Sequence, residues 1–102
     1  MSEPYQVTAT GDGATSSIHL PPGVYVLEIK ATAWDGASAT LQEGYGSVFA
    51  NSDDPYNTGN ALTRTADGKL IVAQGGCEFR LNVSSFGGST AGLKLTARLS
   101  SE

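Results

Sequence analysis

The sequence predicts an all-β chain: an antiparallel β-sandwich of about eight strands built from two pseudo-equivalent halves. Four observations lead there. Apolar and polar residues alternate with period two along three separate stretches. Turn-forming residues recur at short intervals between them, and one strand–turn–strand pattern occurs twice. No window holds apolar residues at three- and four-residue spacing for long enough to make a helix.

Taken in order, a short polar arm, Met1 to Pro4, precedes a first strand at residues 5–10 and the turn Gly11-Asp12-Gly13. Residues 1–13 are thus arm and first strand, residues 14–102 the sandwich, and the whole is one domain. A strand at 15–20 meets Pro21-Pro22-Gly23, where proline presets φ and glycine accepts the positive φ of a tight turn. The strand 24–33 then turns Tyr25, Leu27, Ile29 and Ala31 inward and Glu28 and Lys30 outward, because successive strand side chains point to opposite faces. Shorter strands are expected at 37–42, 46–50, 61–65 and 69–73. The clearest alternation comes last. Cys77, Phe79, Leu81 and Val83 oppose Glu78, Arg80 and Asn82, and Leu93, Leu95, Ala97 and Leu99 oppose Lys94, Thr96 and Arg98. Asp35-Gly36, Asp67-Gly68, Gly75-Gly76 and Gly87-Gly88 mark further turns, while NSDDPYNTGN, residues 51–60, reads as a long loop without apolar alternation.

The repeat aligns at a constant offset of 52 residues without gaps. Leu20 meets Val72, Tyr25 meets Cys77, Leu27 meets Phe79, Ile29 meets Leu81, Trp34 meets Phe86, and Leu41 meets Leu93. Few strands with one apolar face cannot stand alone, so the halves must cover each other with inner faces about 10 Å apart. Trp34 and Phe86 would plug the ends.

A formal net charge of −4, with six scattered basic residues, offers no stripe for a phosphate backbone, so no direct nucleic-acid partner is expected. No leader and no stretch long enough to span a bilayer are read, so no membrane is expected. The lone Cys77 fits folding in a reducing cytoplasm.

Candidate chemistry is sparse. His19, the single histidine, lies between Ile18 and Leu20 and faces outward without a metal-ligating or catalytic neighbour. Cys77 sits inward, where a free cysteine behaves as a small hydrophobe. Asp53 and Asp54 with Asn51, Asn57 and Asn60 offer the oxygens that calcium prefers, but not at the spacing of a calcium loop. No cofactor, metal or catalytic residue is assigned, and no enzyme is expected. Partner contacts are expected at Tyr5, Tyr45, Asp53, Asp54, Tyr56 and Asn57, because rings at strand ends and in loops either cap a core or meet a partner. Trp34 is read as a core cap.

SIHLPPGVYVLEIKATAWDGASATLQ, a variable loop, a T-x-x-G-K-L-I-V strand and GGCEFRLNV together resemble small β-sandwich proteins encoded among the virion genes of tailed bacteriophages. Leu20-Pro21-Pro22-Gly23-Val24-Tyr25, Thr40-Leu41-Gln42 and Glu78-Phe79-Arg80-Leu81 carry the likeness, which covers roughly residues 14 to 99. The resemblance implies a jelly-roll capsid decoration, or cement, protein made in the host cytoplasm. It would bind the major capsid protein on the outside of the head, often as a trimer. The other reading is a glycan-binding module of a phage fibre or tail.

Overall fold

The computed structural model describes residues 5–54, 59–67 and 71–100. Among them it is all-β, with ten strands and no helix. These are β1 (Tyr5–Thr8), β2 (Gly13–Ala14), β3 (Ile18–Leu20), β4 (Val24–Lys30) and β5 (Ser38–Tyr45). The second half adds β6 (Val48–Asn51), β7 (Thr63–Arg64), β8 (Ile71–Gln74), β9 (Cys77–Ser84) and β10 (Lys94–Leu99). Every pairing is antiparallel. One sheet runs β1-β10-β4-β8. In the other, β2 and β3 share one edge of β9, β5 lies on the other, and β6 and β7 follow each other along the far edge of β5.

The predicted alternation carries the core. Tyr25, Leu27 and Ile29 of β4 pack with Phe79, Leu81 and Val83 of β9 and with Leu95 and Ala97 of β10, all buried. Trp34 and Phe86, half-buried, pack against this cluster as end caps. Asp35-Gly36 forms the expected turn: Ala37 N–H donates to the Trp34 carbonyl at 2.9 Å, with φ of 47° at Asp35 and 79° at Gly36. The turn carries the chain from β4 in one sheet to β5 in the other, and the positive φ at both positions is what Asp-Gly tolerates at low cost.

The halves are related by exchange rather than by stacking. β3 pairs with β9 instead of its sequence neighbour β4, and β8 returns the exchange by pairing with β4. The two turns also clasp: Gly75 N–H donates to the Gly23 carbonyl and Gly76 N–H to the Leu20 carbonyl, both at 2.7 Å. β3, β4 and β5 thus correspond to β8, β9 and β10.

The gap-free offset does not survive. Val72, matched to buried Leu20, is 67 % exposed, whereas Ile71 beside it is buried. Leu20 lies opposite Cys77 and Tyr25 opposite Ala73, so the counterpart of Leu20 is Ala73, and the second turn is one residue shorter than the first. Beyond the next turn, Leu41 lies opposite Leu81 as Leu95 lies opposite Ile29, so the counterpart of Leu41 is Leu95, not Leu93.

Three expected elements also differ. The strand expected at 24–33 stops at Lys30, because Ala31 N–H turns aside to the Asp67 carboxylate at 2.9 Å; Ala33 and Ala91 then rejoin as an isolated bridge. The strand expected at 15–20 shrinks to β3, and a separate short strand, β2, precedes it at Gly13–Ala14. At Thr15 the side-chain Oγ1, not the carbonyl, accepts from Leu81 N–H at 3.0 Å, which re-aims the chain. Finally, residues 51–60 are not simply loop: Asn51 ends β6, Asp53 bridges Ala61, and Leu62 N–H donates to the Ser52 carbonyl at 2.8 Å.

Candidate functional site

Two sheets laid face to face have two flanks, and here they differ. On one flank β1 meets β3, and the chain crosses from the first sheet to the second between them. Tyr5 stands at this side of the first sheet, opposite Ala97, with its ring edge-on to Tyr25 at 6.2 Å and 74°. It is 39 % exposed, part core cap and part surface.

The other flank, between the edge strand β8 and the β5–β6 edge of the facing sheet, stays open as a cleft of about 320 Å³. Its floor is apolar, formed by Leu41, Leu62, Ile71, Cys77 and Phe79. Its rim is polar and carries Glu43, Tyr45, Ser52, Asp53 and Gln74. The fold reason is local. β5 pairs with β6 only through Asn51; the chain then leaves the sheet and returns at Thr63 to pair with Ala39 and Thr40. Ser52 and Leu62 hold the base of this excursion, hydrogen-bonded to the carbonyl and N–H of Leu41 at 2.9 Å each. Leu62, fully buried, is thereby delivered to the cleft floor.

Glu43 is the unusual member. By strand alternation it shares the face of β5 that carries buried Ala39 and Leu41, and its half-buried side chain lines the cleft. Ser52 Oγ donates to Glu43 Oε1 at 2.9 Å. A carboxylate has room for several more donors, and a partly buried one is costly while they are missing. Cys77 answers to the same environment. Burial, and then the Glu43 carboxylate, push its thiol pKa up, against a hydrogen bond with Tyr45 that pulls it down. The thiol therefore stays protonated near neutrality and lacks the thiolate character of a nucleophile.

Of the expected contact residues, the structure brings Tyr45 and Asp53 together at the cleft, with Tyr45 71 % exposed. Asp54 is set apart beside Arg64 Nη1 at 3.9 Å, and Tyr5 is not part of the lining. Tyr56 and Asn57 lie outside the described residues. His19 is exposed on β3, opposite Glu78. Among the described residues no three of His, Cys, Asp and Glu gather closely enough to hold a metal ion.

Sequence reasoning missed Glu43, Ser52 and Asp67. Glu43 was within reach, since the parity of Ala39, Leu41, Glu43, Tyr45 already turns it inward. Asp67 carries no such signal. Its Oδ1 accepts from Trp34 Nε1 at 2.7 Å and from Ala31 N–H at 2.9 Å, so an acid from a distant turn fixes the end cap. The indole bond first, and the backbone bond next, hold its pKa below the usual carboxylate range.

The outer face of the second sheet carries a cross-strand polar ladder. Arg80 Nε donates to Gln42 at 2.8 Å, Gln42 Nε2 to Asn51 at 3.0 Å, and Ser38–Ser84 and Thr40–Thr63 hydroxyl pairs lie at 2.6 and 2.8 Å. The Arg80 guanidinium also covers the Phe49 ring at 3.9 Å, a cation–π contact. Such rungs pin register and stiffen the face. No family model, curated protein or solved structure matches the chain.

Proposed function

We propose that this protein is a non-enzymatic structural component of a tailed-phage virion, a decoration protein that binds the major capsid protein on the outside of the head and stabilises the shell. The observation that carries this reading is the sequence pattern of residues 14 to 99, from L-P-P-G-V-Y to E-F-R-L, with its resemblance to such proteins. An all-β sandwich is the architecture that resemblance implies. A rigid ladder on one face and exposed sheet edges suit a protein that adheres, and edges of this kind are blunted by pairing with a partner or with copies of the same chain. Trimers touching several capsid subunits would multiply modest individual contacts. The tip of the β5–β6 hairpin, where Tyr45 and Val48 are 71 % and 75 % exposed, is the apolar contact point on this reading. Purified protein mixed with undecorated heads should co-sediment at micromolar concentration, and Tyr45→Ala with Val48→Ser should weaken that binding. Failure of the unaltered protein to co-sediment would remove the proposal.

One observation favours a second reading, a glycan-binding module of a fibre or tail: an exposed tyrosine beside carboxylates at a cleft mouth can stack on a sugar ring while the acids accept from its hydroxyls. Specific signals on a glycan array that vanish with Tyr45→Ala would select it over the capsid reading.

A further inference from the structure

We propose that the cleft on the open flank is a binding site for an alkylammonium group, the carbon chain lying on the floor and the ammonium against Glu43 and Asp53. The inference rests on the cleft alone and not on the capsid reading.

Four features carry it. Among the described lining residues the charged groups are Glu43 and Asp53, both acidic, which favours a cation over an anion. Glu43 lies on the face of its strand that lines the cleft, and Ser52 uses only part of its acceptor capacity. An ammonium brings the donors that carboxylate lacks, and bonds to charged groups are the stronger ones. The floor is aliphatic and aromatic, which a bare inorganic cation cannot exploit; calcium also wants six or more oxygen ligands, and two carboxylates with hydroxyls fall short. The volume of about 320 Å³ is at the low end for ligand clefts and suits a short chain rather than a large ring system. An alkylammonium reproduces the cleft's own order, apolar below and cationic above.

Two sources supply this chemistry: a free aliphatic amine, or a lysine side chain presented by another protein. They are separated by the ligands used. Amide-resolved NMR titration with n-pentylammonium should give saturable shifts at Leu41, Glu43, Ser52, Ala73 and Cys77. Uncharged n-pentanol, of nearly the same shape, should bind at least about tenfold more weakly. Glu43→Gln, which keeps shape and the Ser52 bond, should weaken pentylammonium about tenfold while leaving pentanol unchanged. Asp53→Asn, at an exposed site, provides a second variant free of folding effects and should act in the same direction. An acetyl-Gly-Lys-Gly-amide peptide binding more tightly than pentylammonium assigns the site to a protein lysine; the reverse order assigns it to a free amine. Pentanol binding as well as pentylammonium, shifts lying outside the cleft, or the absence of saturation overturns the proposal. Loss of head binding leaves these titrations untouched, and their failure leaves head binding untouched, so the two readings fall separately.

Discussion

The two flanks of this sandwich are counterparts under the pseudo-symmetry, yet one is shut and the other is a cleft. On the shut flank Ala97, fully buried, pairs across β10 with Leu27. On the open flank the corresponding partner of Phe79 is Glu43. One step along the alternation, Tyr45 stands where the other half has Leu99. The neighbouring strands differ in the same sense: β1 runs beside β10 from Lys94 to Ala97, whereas β6 abandons β5 at Asn51. A core and a binding site are thus made from one pattern by changing two side chains and interrupting one edge.

The largest effect should come from making the flanks alike in the wrong direction. Ala97→Glu forces a carboxylate into a fully buried position between β1 and β4, and should cost about 3 kcal/mol or more in urea denaturation. A cost under about 1 kcal/mol would mean that this flank opens as easily as its counterpart. Next is the clasp between the turns. A side chain at Gly75 would run into the Pro21 carbonyl and the Tyr25 ring, so Gly75→Ala should lose about 1–3 kcal/mol by the same measurement. The change at the open flank should be nearly neutral: Glu43→Leu extends the apolar floor but leaves the buried Ser52 hydroxyl without its acceptor, so stability should move by no more than about 1 kcal/mol while alkylammonium binding is abolished. A larger loss would place the carboxylate among the groups that hold the fold.

The smallest effect concerns the end cap. Trp34 is the single tryptophan, so its fluorescence reports the Asp67 bond directly. Asp67→Ala should shift its emission and lower stability slightly at neutral pH. The sign of the pH dependence follows from the depressed pKa. Below the ordinary carboxylate range the unfolded chain binds a proton that the folded one still refuses. The contribution is therefore complete above that range and disappears as pH falls through the folded value. Asp67→Ala should flatten this part of the acid limb, and an unchanged limb would show that the carboxylate is not coupled to folding.

Most of the architecture was legible because β4, β9 and β10 alternate cleanly. Parity was lost where the sequence offers none: in Leu70-Ile71-Val72-Ala73 four apolar residues follow one another, and only pairing with β4 decides that Ile71 is buried and Val72 is not. The offset failed for a related reason. Turns absorb insertions of one and two residues while each strand keeps its own alternation, so a pattern match can hold within strands and slip between them. Tyr45 and Asp53 were legible as surface groups, but their meeting at one cleft was not, since it depends on where the excursion after β6 lands. The Trp34–Asp67 bond joins residues 33 apart and leaves no local trace.

Strand exchange has a temporal consequence. β10 lies between β1 and β4, and β9 between β3 and β5, so the earlier strands wait for partners made much later. Nearly all the stabilising pairings close long loops, the circumstance in which folding is slow, on the scale of about milliseconds to seconds. Until β8, β9 and β10 have been made, β1, β2, β3 and β4 have no partner strand to settle on.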